Sequence, residues 1–192
     1  MKKIIKLLLM LAIILHSACL MAQSTRSIGI YKTENDFINN KLSYAIDCGS
    51  KNGSIRLHNF FGSSKVDVEL NNQEYSLQKS ELFGYHDCDG SNYRFYGNQM
   101  YKIADSNGFY VYTRLEYEPG KSSYKVMKYY FSKDGNSPVE SLTIQHLAKA
   151  FSANIKFCYA VKGFTSDSQL AEFDIFLQTY KIKYLYAQSL KG

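Results

Sequence analysis

The chain has 192 residues, 45% of them hydrophobic, with 23 Lys and Arg against 17 Asp and Glu. That is a globular composition, and its modest, interspersed positive surplus argues against nucleic acid as a partner, which requires a concentrated basic face. Tyrosine is abundant at 17 residues while tryptophan is absent.

The first residues read as a targeting segment. Lys2, Lys3 and Lys6 border an apolar run from Ile4 to Leu15, followed by the small residues Ser17, Ala18 and Ala22. This predicts a signal peptide over 1–22, cut before Gln23, and a single globular domain over 23–192. The competing reading is a lipid anchor at Cys19, with Leu15, His16, Ser17 and Ala18 as an imperfect lipoprotein box. The run is shorter than the roughly 20 residues a membrane span needs, and no later stretch approaches that length. The expected location is exported: periplasm, cell surface or extracellular. Loss of the three leader lysines leaves a surplus of only three positive charges.

Thr33 and Asp36 have the spacing of a capping box, which predicts a short helix from Glu34 to about Asn39. From Leu42 the pattern changes to period two. Strands are predicted over Leu42–Asp47 and Ser54–Phe60 around an Asn52–Gly53 turn, then over Lys65–Leu70 and Glu74–Leu77 around Asn71–Asn72.

Ten of the tyrosines fall between Tyr85 and Tyr130. There Glu81–Cys88 and Asn92–Tyr96 flank Asp89–Gly90, Gln99–Ala104 and Phe109–Glu116 flank Asn107–Gly108, and Lys125–Ser132 follows Pro119–Gly120. Beyond Pro138 the period becomes helical, with Thr143 capping a helix through Ile144, Leu147 and Phe151. A longer helix is predicted from Ser166, its stripe formed by Leu170, Phe173, Leu177, Tyr180 and Tyr184. The expected fold is α+β: a strongly curved antiparallel sheet or partial barrel of about eight strands, a short N-terminal helix and two or three C-terminal helices.

Downstream of the leader, Cys48, Cys88 and Cys158 make an odd number, so three single bridges are possible, as are buried thiols. Hydrolase elbows, phosphate loops and dinucleotide fingerprints are absent, and no cofactor is expected. Two places gather chemistry. In the hairpin Tyr85-His86-Asp87-Cys88, His86 and Cys88 share a strand face, which suits a metal ligand pair or a thiol with its base. A turn held by its own aspartates explains the same residues without a site. Arg94 and Tyr96 lie on the partner strand. The other place is Tyr110 and Tyr112, expected to project opposite Phe109 and Val111 as an exposed aromatic face for a glycan or an envelope protein; the stronger reading is that they cover a strand surface or pack beneath a helix, since aromatic residues are common β formers.

Three stretches, Gly29-Ile-Tyr-Lys-Thr with Asp36-Phe37, Lys79-Ser-Glu-Leu-Phe-Gly-Tyr through Cys88 with Tyr93–Tyr96, and Tyr129–Ser132 with Leu142-Thr143, resemble a group of uncharacterised exported proteins of Bacteroidota. The resemblance implies location and a single-domain family, and brings no functional residues with it. The sequence therefore favours non-catalytic binding, with a hydrolase or a thiol or metal enzyme centred on His86 and Cys88 as the alternative.

Overall fold

A computed structural model describes residues 26–59, 62–118 and 124–191. The leader with Cys19, Phe60 and the Pro119–Gly120 turn lie outside the described residues. The chain runs β1 (Ser27–Tyr31), α1 (Glu34–Ile38), β2 (Ser43–Asp47), β3 (Gly53–Arg56), β4 (Lys65–Leu70), β5 (Gln73–Gln78), β6 (Gly84–His86), β7 (Asn92–Tyr96), β8 (Gln99–Asp105), β9 (Tyr110–Glu118), β10 (Tyr124–Ser132) and β11 (Glu140–Ser141). Then come α2 (Ile144–Ala150), α3 (Ile155–Lys162), the short hairpin β12 (Phe173–Asp174) and β13 (Thr179–Tyr180), and α4 (Lys181–Ser189).

The α+β class holds. Eight strands form one antiparallel sheet in the order β11-β10-β9-β8-β7-β6-β1-β2, and it is an open sheet rather than a closed barrel. The strands β3, β4 and β5 leave it to form a second sheet of three. Asn52–Gly53 is therefore not a hairpin turn, since β2 and β3 belong to different sheets. Gly53 is needed instead because a Cβ there would come within 2.6 Å of the Glu69 carbonyl oxygen.

The pairings sort the main sheet into two faces. Ile30, Tyr85 and Tyr93 are directly opposed across β1, β6 and β7, and Val111 opposes Phe131 on the same side. One end of this first face is covered by helices, whose Leu147, Phe157, Val161 and Ile182 pack on Phe109, Val111 and Phe131. The three-stranded sheet covers the other end through Val66 and Val68. Each such fully buried side chain contributes roughly 1.5–3 kcal/mol.

The second face carries Tyr31, Arg94, Tyr101, Tyr112 and Tyr130 in the opposite parity. It is closed by Phe83 and by α1, whose Phe37 meets the Tyr31 ring edge-on and stacks on Phe83. The capping box is present: Thr33 Oγ1 accepts from the Asp36 amide at 3.1 Å while Asp36 Oδ2 accepts from the Thr33 amide at 3.1 Å. Among the described residues no helix is long and apolar enough to cross a membrane.

The long helix expected from Ser166 does not form. Gln169 does reach back to the Ser166 amide at 3.4 Å, but only a 3-10 turn over Asp167–Ala171 follows. Asp174 Oδ1 then accepts from the Phe176 and Leu177 amides at 2.8 and 3.0 Å, and this local side-chain bonding turns the chain into a hairpin. Ile155–Lys162, which carries no equally regular stripe, is helical because Asn154 caps the Phe157 amide at 3.0 Å and both Phe157 and Val161 are buried.

Candidate functional site

The hairpin around His86 is a structural corner. Cys88 is joined to Cys48 in a disulfide, so it offers no thiol to His86. His86 Nδ1 bonds Asn92 Oδ1 at 2.7 Å, and the Tyr31 hydroxyl donates to the same oxygen at 3.1 Å. Asp87 Oδ1 accepts from the Cys88 amide and from the Tyr85 hydroxyl, and Asp89 Oδ1 accepts from the Ser91 amide. These are turn bonds of the kind Asp makes to its own backbone. Among the described residues no group of three or more His, Cys, Asp or Glu side chains gathers as a metal site. Burial, together with the neighbouring Asp87 carboxylate, raises the Tyr85 hydroxyl far above its usual pKa.

Tyr110 and Tyr112 are not an exposed face. They are 5% and 0% exposed, because α1 and Phe83 cover the side of β9 that strand alternation alone leaves open. The Tyr110 hydroxyl donates to Glu34 Oε1 at 2.7 Å, and the Gly135 amide donates to the same oxygen at 2.8 Å. Burial and the Glu34 carboxylate hold Tyr110 well above the ordinary tyrosine range. Burial also raises Tyr112, with the Arg94 charge opposing.

Arg94 organises this layer. It is 4% exposed, with its guanidinium 5.8 Å from the Phe83 ring, 5.6 Å from Tyr96 and 5.9 Å from Tyr112. Nη1 donates to the Tyr112 hydroxyl at 2.9 Å, to Ser132 Oγ at 2.7 Å and to the Asp134 carbonyl at 3.2 Å; Nη2 donates to the Ser137 carbonyl at 2.8 Å. Since Ser132 Oγ donates to the Asp134 carbonyl, the Tyr112 hydroxyl is the donor in its own 2.8 Å bond to Ser132. One edge of the guanidinium thus ties the loop after β10 to the sheet.

Two of its N–H groups are uncommitted. A guanidinium carries five N–H groups, and the Nε–H and one Nη2–H of Arg94 find no acceptor among the described residues. Among the described residues no sealed side-chain nitrogen or oxygen lacks a partner, so Nε is not fully closed off. Arg94 lines a cleft of about 480 Å³ between the β7–β8 turn, the segment Lys79–Phe83, the start of α1 and the Gly135–Asn136 loop.

Lys79 lines the same cleft and is 1% exposed. Among the described residues its Nζ has only weak neutral partners, Asn59 Oδ1 at 3.3 Å and the Asn98 carbonyl at 3.5 Å, and it lies 5.8 Å from the Phe95 ring. Burial lowers its pKa. The Asn98 carbonyl is presented by a tight turn in which Gly97 and Asn98 both have positive φ, 55° and 63°. Neither Lys79 nor Arg94 pairs with a carboxylate among the described residues. Tyr96, 39% exposed, stands at the edge of the cleft.

Comparison with protein-family models, curated proteins and solved structures finds no match.

Of the residues singled out in the sequence, Arg94, Tyr96 and Tyr112 come together and Tyr110 joins them through the aromatic layer. Tyr85, His86, Asp87 and Cys88 belong to the disulfide corner instead. Lys79 was not legible as a site residue, because lysine is among the side chains least often buried and nothing in Leu77-Gln78-Lys79-Ser80 marks it as inside. A second polar cluster, in which Ser76 Oγ and His58 Nε2 both bond Asp67 at 2.9 and 2.7 Å, has the carboxylate in the middle. The serine proton points to Asp67 rather than to histidine, so the serine is not activated as a nucleophile.

Proposed function

We propose that this chain is an exported, non-catalytic binding protein that takes an anionic ligand into the cleft between Arg94, Lys79 and Tyr96. The observation that carries the reading is a pair of almost fully buried cations, neither within salt-bridge distance of a carboxylate among the described residues, opening on one cleft that Glu34 and Glu81 also line. A buried, unpaired charge destabilises a fold, so its presence calls for a partner that arrives from outside. Export is supported by the leader and by the Cys48–Cys88 bridge, which is characteristic of oxidising compartments. Anchoring through Cys19 is a second form of the same proposal, and the intact mass of exported protein distinguishes it from cleavage before Gln23. Membership of the Bacteroidota exported group stays a proposal that rests on the resemblance alone.

The test is calorimetric titration of acetate, sulfate and inorganic phosphate into exported protein at constant ionic strength, with Lys79→Met alongside. Saturable binding of at least one anion, weakened at least tenfold in the variant, is expected. Equal, non-saturating heats for both proteins overturn the reading.

A further inference from the structure

The geometry points to the chemical class of that ligand: a carboxylated sugar, a hexuronate residue of an acidic glycan. The inference rests on the anion-binding reading and adds shape to charge.

Three features of the cleft select among anions. The unused Nε–H and Nη2–H of Arg94 belong to one planar guanidinium, a group whose donors match the two coplanar oxygens of a carboxylate. Its orientation is fixed by the four bonds that the rest of the guanidinium makes to Tyr112, Ser132, Asp134 and Ser137, so little ordering is left for the ligand to impose. Lys79 adds a compact charge with a third N–H that neither Asn59 nor Asn98 takes up.

The rest of the space suits a polyol. At about 480 Å³ it is far larger than a bare ion and falls within the roughly 300–1,000 Å³ of small-molecule sites. Thr33, Ser80 and Asn98 with the carboxylates of Glu34 and Glu81 line it beside Phe83, bringing donors and acceptors for hydroxyl groups into a wall that a fatty acid would need apolar throughout. At the edge, Tyr96 offers a partly exposed ring already in contact with the Arg94 guanidinium. A pyranose whose carboxylate meets the Arg94 donors places its ring within reach of Tyr96, and an exposed aromatic face is a good surface for the C–H side of a sugar.

The experiment titrates galacturonate, glucuronate and mannuronate trimers, neutral galactose and glucose trimers, acetate and phosphate into the full exported protein at matched ionic strength. At least one uronate trimer is expected to bind at least tenfold more tightly than acetate or phosphate, with no measurable binding of the neutral trimers. Tyr96→Ala is expected to weaken the uronate by about tenfold while leaving acetate unchanged. Lys79→Met is expected to abolish both while remaining folded, which a thermal melt verifies. Tightest binding by phosphate, equal binding of neutral and acidic trimers, or an unaffected Tyr96→Ala overturns the sugar assignment and leaves the anion cleft standing. If no anion binds at all, the cleft reading falls with it.

Discussion

Removing the Cys48–Cys88 bridge by changing both cysteines to alanine is expected to cost about 4 kcal/mol of stability. The bond closes a sequence separation of 40 residues, and the chain-entropy relation for a loop of that length gives about 13 cal/mol/K, hence about 4 kcal/mol near room temperature. The native sheet should survive the change, because β1 lies between β2 and β6 and its ladders hold both cysteine-bearing ends: Ser27 opposes Asp47, Gly29 opposes His86, and the Cys48 amide donates to the Arg26 carbonyl at 2.8 Å. The loss then comes from releasing the unfolded chain. Urea denaturation followed by circular dichroism measures it: with a slope of about 2 kcal/mol/M, the midpoint should fall by about 2 M. The slope should rise somewhat, since the unconstrained chain exposes more surface. A fall of less than about 0.5 M, with unchanged native spectra, would refute the reasoning.

Lys79→Met, which replaces a desolvated cation by an apolar side chain of similar length, should raise stability by about 1 kcal/mol in the same assay even as it removes ligand binding. Gly84→Ala should destabilise by about 3 kcal/mol or prevent folding, because the added Cβ would lie 1.9 Å from the Tyr93 carbonyl oxygen of the paired strand; a soluble variant with an unchanged melting temperature would contradict that contact. Lys183 is 5% exposed, bonded to the Phe109 carbonyl and 3.3 Å from Asp105; burial, partly offset by that carboxylate, brings its pKa down to about 8 from an ordinary 10.5. Between those two values the unfolded chain binds more protons than the folded one, so stability should rise with pH across that window, and Lys183→Met should flatten the rise. Above about pH 10 the sign reverses, because Tyr85, Tyr110 and Tyr112 keep their protons in the fold and lose them on unfolding; alkaline denaturation profiles of both proteins check this.

Local chemistry was legible in the sequence and long-range partition was not. The Thr33–Asp36 cap and the turns at Asn71–Asn72, Asp89–Gly90 and Asn107–Gly108 depend on residues a few positions apart, and all four are present, with positive φ at Asn71, Asn72, Gly90 and Gly108. Assigning β3–β5 to a separate sheet depends on which surface Val66 and Val68 cover, which a period-two pattern does not encode. The same limit hid the site. Alternation places Tyr112 opposite Val111, yet only the arrival of α1 and Phe83 buries both sides of β9, and only the fold brings Lys79 to the strand that carries Arg94. The stripe Phe173, Leu177, Tyr180 fits a helix by spacing, but the Asp174 carboxylate claims the amides a helix would need.

The position of β1 also governs when the fold can assemble. Ser27–Tyr31 is the first described strand in the chain yet lies inside the sheet, next to the edge strand β2, and its second neighbour, Gly84–His86, is among the later segments of the first half to be synthesised. Until then one of its ladders stays open and the two cysteines that flank it have no reason to meet. Such distant pairings slow folding, so the chain remains threadable for longer than a locally paired protein of the same size, and the oxidation of Cys48 and Cys88 reports that β1 has found both β2 and β6.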